Sequence, residues 1–533
     1  MEQVRRVARS TLIVIGGAGL SFGVSLLRQR IVAQLFGTQS VFDAYTAADT
    51  VSEVLVSSLG VLTFAYAFMP VYIEFLEQDQ KDKANTLFSQ VANTLFILAG
   101  LAATLAAIFA PTLVSAPWGL GPGYSPAIQQ TIVAILRILM VSTVIFTVSG
   151  LATGVLHAHN NFWLPALAPT VYSAGIIFGA LVICPRMPHD LQIYGLAWGA
   201  VIGAGLHLTI QLPGLFIARL RWRPVLNLND PTLRHVLVLT APRVINLMLA
   251  TASISWLNNN LSSYLGEGRA SALGFAYRIM NIPWTIIGTA LGFAIFPVMA
   301  ELAAKKDINA QRQAVSGGLR AVIIFTIPAA AGLLVIGKPL IRLLFEGGAF
   351  TEQSTNLVYF ALQFYTLALI SQSMLDIVVR AFAAQQDTWT PLYVSLFTTT
   401  INVGLAIWLA RPFAQGGIEH GGPALANGVA VLIEACIGLT ILHIRWKGVD
   451  AGRIAVYALK ALVAAAVMVG ALMLAQPFFG SSAILTVVIS SALGIAIYLV
   501  VAYLLGIREV LTIPLAVIAR TPGTHHDTQT AAE

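Results

Sequence analysis

The chain has 533 residues, of which 57% are hydrophobic and only 10% charged, with a mean hydropathy of +0.81. Soluble domains carry about 25% charged residues, so a soluble enzyme is excluded and a polytopic membrane protein is expected. The net charge of +7 is what Lys/Arg-rich cytoplasmic loops produce, no aromatic-interleaved basic patch points to nucleic acid, and Cys184 and Cys436 without a CxxC argue against a disulfide or metal framework.

The opening "MEQVRRVARS" runs into a long apolar stretch with no small-residue cleavage site, and reads as an uncleaved first span. A bilayer core of about 30 Å takes roughly 20 helical residues, which predicts about fourteen spans. The first six cover about 10–34, 42–73, 86–113, 127–156, 162–184 and 192–218. The next six cover about 232–265, 270–299, 312–344, 353–384, 388–410 and 422–444, and two more follow at about 452–476 and 481–506. Alternate connecting segments hold the basic residues, among them Arg5, Arg6, Lys81, Lys83, Arg219, Arg221, Arg223, Lys305, Lys306, Arg445 and Lys447. That bias predicts both termini in the cytoplasm. The tail "ARTPGTHHDTQTAAE" is polar and is expected to be disordered.

Three pairs of segments repeat in the same order. "AFMPVYIEFLEQDQKDKAN" resembles "AIFPVMAELAAKKDINAQ", "AHNNFWLPALAP" resembles "AQQDTWTPLYVS", and "YGLAWGAVIGAGLHLTI" resembles "PALANGVAVLIEACIGLTI". They set Pro70 against Pro297, Pro165 against Pro391 and Gly199 against Gly428, at offsets between 226 and 229 residues. Such constancy implies duplication, and six spans per copy imply parallel repeats with a substrate site between them. The expected fold is therefore all-α. It has an N-lobe at 1–225, a C-lobe at 226–446, two added helices at 447–510 and a tail at 511–533.

An ionisable group at a helix centre costs around 2.5–3.5 kcal/mol on insertion, so each one faces protein or water and is a functional candidate. In chain order these are Arg28 and Arg30; Asp43, Asp49 and Glu53; Arg137; Arg243; Arg278; Asp376 and Arg380; Glu434; and Lys460. Arg137, Arg380 and Lys460 lie within snorkelling reach of a span end. Asp376 and Arg380, at i and i+4, are placed to neutralise each other. Glu434 has no local partner, which suits either a protonated, hydrogen-bonded acid or a role in transport. Asp49 and Glu53 share a face, and their repulsion calls for an arginine, a proton or a metal cation between them. For Arg28 and the acids of the second span two readings stand, a structural ion pair and a water-filled path for an anionic substrate. Pro283 and the glycines after Arg278 predict an irregular eighth span. The run Asn258–Asn260 offers oxygen ligands for a cation, or simply a polar helix end. No GxxxxGK[ST], GxSxG, HExxH or CxxC occurs, so neither ATP-driven transport nor enzymatic catalysis is expected.

The stretches "RQRIVAQLFGTQSVFDAY", "AFMPVYIEF", "LPALAPTVY", "QLPGLF", "LLFEGGAFT" and "AAQQDTWTP" lie in one order with the long segment from Leu261 to Leu302. Together they resemble the MurJ/MviN family, lipid II flippases of the MOP exporter superfamily, from about Ser21 to the end of the twelfth span. The resemblance implies movement of an undecaprenyl-pyrophosphate-linked disaccharide-pentapeptide from the inner to the outer leaflet of the bacterial cytoplasmic membrane. It implies a drive from the membrane potential or an ion gradient, with Na+ or H+ as coupling ion and no other cofactor, and a monomer whose partners are the lipid-linked glycan and membrane lipids. Arg28 and Arg278 match family arginines that hold the pyrophosphate, a task suited to a planar guanidinium. Asp43 matches a family acid and is expected to orient Arg28, with Asp49, Glu53 and Glu434 as possible coupling groups. Asn258, Thr398 and Asn402 fall where some members place sodium ligands, and the last two spans fall where members build a groove for the polyprenyl tail. The chain departs from the family where arginines are usual, with Phe22, Val56 and Ser57 in their place; Val61 replaces a glutamate and Tyr277 an aspartate. Flipping of another polyprenyl-linked oligosaccharide, or ion-coupled drug export, is the alternative.

Overall fold

The computed structural model describes residues 2–59, 61–478 and 482–510, with side chains described from residue 16 onward except at 59, 61–67, part of 239–253 and 478. The expected tail at 511–533 and the Arg243 side chain lie outside the described residues. Helices α1 (Glu2–Phe36), α2 (Ser40–Leu59), α3 (Val61–Glu77), α4 (Lys81–Ile108), α5 (Ala110–Ser115) and α6 (Pro126–Ala158) come first. They are followed by α7 (Trp163–Phe178), α8 (Gln192–Thr209), α9 (Leu212–Ile217), α10 (Pro231–Thr251), α11 (Leu257–Ser263), α12 (Arg269–Pro283) and α13 (Ala290–Ala304). The rest are α14 (Ile308–Phe345), α15 (Glu352–Ala384), α16 (Trp389–Leu409), α17 (Gly421–Arg445), α18 (Ala451–Ala475) and α19 (Ala483–Leu504). Eleven helical stretches among the described residues are long and apolar enough to cross a membrane. They coincide with the expected spans other than the first, second and seventh, which are themselves helical.

Contacts group the chain into two compact units. One holds Met1–Gly274, Leu344–Leu357 and Ile407–Pro423; the other holds Phe275–Leu343, Val358–Ala406 and the chain from Ala424 on. In the first, Phe68, Tyr72, Leu87, Val91, Leu95 and Val155 form a buried cluster across α3, α4 and α6. In the second, Val322, Ile324, Ile377, Phe382, Leu442, Met468 and Tyr498 join α14, α15, α17, α18 and α19.

The repeated segments occupy matching places in their helices. Pro165 and Pro391 are each the third residue of their helix, in α7 and α16, where a missing N–H costs no intrahelical bond. Pro70 and Pro297 each stand seven residues before the helix end, in α3 and α13. Gly199 and Gly428 are each the eighth residue of α8 and α17. At Gly199 the reason for glycine is contact: a Cβ there would sit 2.8 Å from the Gly179 Cα, and one at Gly175 only 2.3 Å from the Gly203 Cα. In lipid no hydrophobic force drives helices together, so small residues that let backbones approach carry the packing of α7 on α8.

Besides the π-helical turn at Gly179–Ile183 after α7, two further expected spans contain such turns, at Ala252–Trp256 between α10 and α11 and at Trp284–Thr289 between α12 and α13. The second directly follows Pro283, whose ring removes a donor from the i to i−4 ladder and lets the next turn widen.

Candidate functional site

In the first unit, α2 lies antiparallel to the seventh expected span and the two are joined by a ladder of polar side chains. Ser57 and Thr251 hydroxyls are 3.2 Å apart, the Ser255 hydroxyl donates to Glu53 at 3.2 Å, and Asn259 Nδ2 donates to Thr50 at 2.9 Å. The ladder steps along both helices in register, with Thr251, Ser255 and Asn259 at i, i+4 and i+8. Glu53 is exposed beside this seam and Asp49, one turn earlier, is half-buried. Of the three asparagines, Asn259 forms the end rung of this ladder. Asn260 Nδ2 instead donates to the carbonyls of Pro117 and Gly119, and Trp256 Nε1 to that of Trp118, pinning the loop "APWGL".

Asp43 departs from its expected role. It is fully buried, and its carboxylate accepts from Gly268 N at 2.6 Å and Ser271 N at 2.8 Å, so it caps the start of α12. Arg28 stands eight residues before the end of α1, about 12 Å along the axis, too far back to meet a side chain in the first turn of α2. It is half-buried, its guanidinium stacked on the Tyr172 ring at 5.7 Å and donating to Ser25 at 3.3 Å. Among the described residues no carboxylate lies within ion-pair reach of Arg28. The turn between α1 and α2 is held by further contacts: Ser40 N donates to Glu267, Thr38 meets Ser354, and Ala349 N donates to the Gln34 carbonyl. Gly37 and Gly348, both at positive φ, allow this close approach. Arg269 pairs with Glu419, and His420 donates to the Leu357 carbonyl through Nε2, drawing the segment between α16 and α17 into the same cluster.

In the second unit Arg278 is exposed on α12. Beyond it, Asp376 on α15 accepts from Trp284 Nε1 at 3.1 Å and the Thr289 hydroxyl at 3.4 Å, and lies 4.0 Å from Arg380. The expected pairing of Asp376 with Arg380 is present, and the carboxylate also bridges both ends of the π-helical turn. Arg380 in turn covers the Phe293 ring at 4.4 Å. The opposite side of that turn, Ile286 and Ile287 with Pro283, lines an apolar cavity of ≈ 760 Å³. Its other walls are Phe325, Pro328 and Leu333 of α14, Met468 and Leu472 of α18, and Ser490, Gly494 and Ile495 of α19. On α16 the Thr398 hydroxyl donates to Glu434 at 3.0 Å, so Glu434 has a partner that sequence spacing did not reveal. One turn on, Asn402 is buried and its Oδ1 has no hydrogen-bond partner among the described residues. Thr398, Asn402 and Glu434 thus offer oxygen donors of the kind a hard cation takes, while Asn258 belongs to the first unit.

The family model described as Lipid II flippase MurJ matches residues 32–502. The chain belongs to the MurJ family. It is 27% identical over 451 residues to the lipid II flippase MurJ of Burkholderia cenocepacia, covering 83% of this chain and 84% of that one. With the probable lipid II flippase MurJ of Rhizobium meliloti the identity is 28% over 517 residues, covering 92% and 93%. Its fold is similar to a solved lipid II flippase MurJ in an inward closed conformation, with a TM-score of 0.75 at 21% identity, over 95% of this chain and 100% of that one. A MATE-family multidrug transporter of the MOP superfamily in an inward-facing conformation is also similar, with a TM-score of 0.66 at 13% identity over 81% and 94%.

Within this MurJ family member the departures from the usual charged set sit on α1, α2, α3 and α12. Phe22 is 49% exposed on α1, and Val56 and Ser57 are half-buried on α2, Ser57 being tied into the polar ladder. Tyr277 packs its ring, tilted by 59°, against that of the buried Tyr365 at 5.5 Å, so the residue beside Arg278 serves packing rather than charge. Ser255 and Trp284 were not legible as site residues, because each looks like an ordinary polar or aromatic residue until a neighbouring helix supplies its partner; Asn259 was legible only as one of the run Asn258–Asn260.

Proposed function

We propose that this chain is a flippase for a polyprenyl-diphosphate-linked glycan, with lipid II as substrate, moved from the inner to the outer leaflet by alternating access. The observation that carries the reading is the apolar cavity walled by α12, α14, α18 and α19, a surface that an isoprenoid chain fills and a polar solute does not. Arg28 supports it from the other side of the chemistry. It is a guanidinium on a spanning helix, held by an aromatic face and a hydroxyl, with donors left for a diphosphate. Arg278 supplies the second cationic contact. In this reading all fourteen stretches cross the cytoplasmic membrane, both termini are cytoplasmic, and the protein acts as a monomer without catalysing covalent chemistry or binding nucleic acid. Transport draws on a sodium or proton gradient, with Thr398, Asn402 and Glu434 as the oxygen set for the ion and Asp49 and Glu53 as a second acidic pair.

The test is translocation of labelled lipid II in vesicles containing the purified protein. Arg28→Gln is expected to lower the rate at least tenfold while leaving the unfolding midpoint unchanged; an unaltered rate would remove Arg28 from the site. The reduced arginine set at Phe22, Val56 and Ser57 favours a second reading, a different polyprenyl-linked oligosaccharide. Failure to complement a cell depleted of its lipid II flippase, with retained flipping of another polyprenyl glycan, would establish it.

A further inference from the structure

The segment between α9 and α10 is not a slack linker. The chain leaves α9 through Arg219, at φ +54°, and runs without helix from Leu220 to Asn227. Over that length it is fastened to one face of α4 by Asn85, Ser89 and Asn93, which stand at i, i+4 and i+8. Arg221 N donates to Asn85 at 3.2 Å and Arg223 N to Ser89 at 3.0 Å; Asn93 Nδ2 donates to the carbonyls of Arg223 and Val225 at 3.0 and 2.8 Å. Every second residue points its peptide groups at α4, the period of an extended strand. The polar ladder climbs about 12 Å of α4.

What the strap presents outward is basic and amphipathic. Arg219, Arg221 and Arg223 are exposed, and only Arg223 is within 4 Å of a carboxylate, Asp82 at 3.8 Å, among the described residues. Trp222 is 59% exposed although its indole N–H is held by Asn93 at 2.9 Å, and Phe216 and Ile217 just before the strap are 76% and 79% exposed. Arginine and tryptophan side by side at the ends of spanning helices sit at the headgroup level, where the ring is amphipathic and the guanidinium meets phosphate.

We propose that residues 216–226 form a binding surface for anionic phospholipid headgroups, with Arg219, Arg221 and Arg223 on the phosphates and Trp222 at the glycerol level. The backbone is already immobilised by α4, so binding orders side chains only. Each basic side chain near an anionic surface is worth roughly fivefold in affinity. The surface shares no residue with the cavity described above and does not depend on which glycan is carried.

The full-length protein, placed in phosphatidylcholine bilayers with brominated phosphatidylglycerol or brominated phosphatidylcholine, tests this by tryptophan quenching. The Trp222 component is the difference between the wild type and Trp222→Phe. It is expected to be quenched at a mole fraction at least tenfold lower by the anionic lipid, with the preference shrinking in high salt and vanishing in Arg219→Gln/Arg221→Gln/Arg223→Gln. Equal quenching by the two lipids, or an unchanged preference in the triple variant, would overturn the proposal. The phosphatidylglycerol retained by purified wild type and triple variant gives a second measure that needs no tryptophan change, and equal retention would overturn it too.

Discussion

Asp43 shows how far one side chain's surroundings decide its work. Its sequence context, an acid shortly after a basic span, points to an ion pair, yet the carboxylate serves two backbone N–H groups at the start of α12. Such a cap is worth about 1–2 kcal/mol, so Asp43→Ala is expected to lower the thermal unfolding midpoint measurably in detergent. Asp43→Asn, which keeps one acceptor oxygen, should fall in between. His420 carries a different consequence. Burial holds its imidazole below the usual histidine value, and its Nε2 already donates to the Leu357 carbonyl. The folded chain therefore binds fewer protons than the unfolded one in this range. The stability His420 contributes is complete above about pH 6.5 and declines as pH falls through that value toward the lower folded one. Unfolding midpoints measured from pH 8 to pH 5 should slope downward, and His420→Gln should flatten that slope.

At the scale of elements, the π-helical turn at Trp284–Thr289 joins a polar clasp to an apolar wall. Asp376 grips Trp284 and Thr289 on one side while Ile286 and Ile287 form the cavity on the other. Asp376→Ala leaves the indole and hydroxyl without their acceptor, and an unpaired buried donor costs about 1–3 kcal/mol. Amide exchange across 284–289 is therefore expected to quicken at least tenfold, with exchange in α18 unchanged; equal protection in both proteins would show that the clasp does not hold the turn. Pro283 and the repeated glycines made an irregular helix foreseeable here. The partner on α15 was not foreseeable, since Asp376 reads locally as half of an i, i+4 pair with Arg380. The α7–α8 contact was legible only in part: glycines at i and i+4 signal close packing, but only the fold shows that Gly175 meets Gly203 and Gly179 meets Gly199.

For the molecule as a whole, coupling is the open functional quantity, and it has a direct expectation. If the oxygen set of Thr398, Asn402 and Glu434 takes sodium, replacing Na+ by K+ at constant membrane potential should slow flipping in vesicles severalfold, and Glu434→Gln should remove the difference. A rate sensitive only to the proton gradient would move the role to Asp49 and Glu53. Composition and periodicity alone were enough for an all-helical membrane protein and for a duplication whose paired prolines and glycines stand at equal places in their helices. Hydrophobic span length and helix-end chemistry are local properties, set by the bilayer and by the chain's own backbone. Partner choice is not local. Whether Asp43 meets an arginine or two amides, whether Asn258 or Asn259 enters the ladder, and which flank of a π-helical turn faces the cavity depend on the rotation and register of helices distant in sequence. In lipid every buried polar group must find its partner within the protein, and only the tertiary structure decides which partner that is.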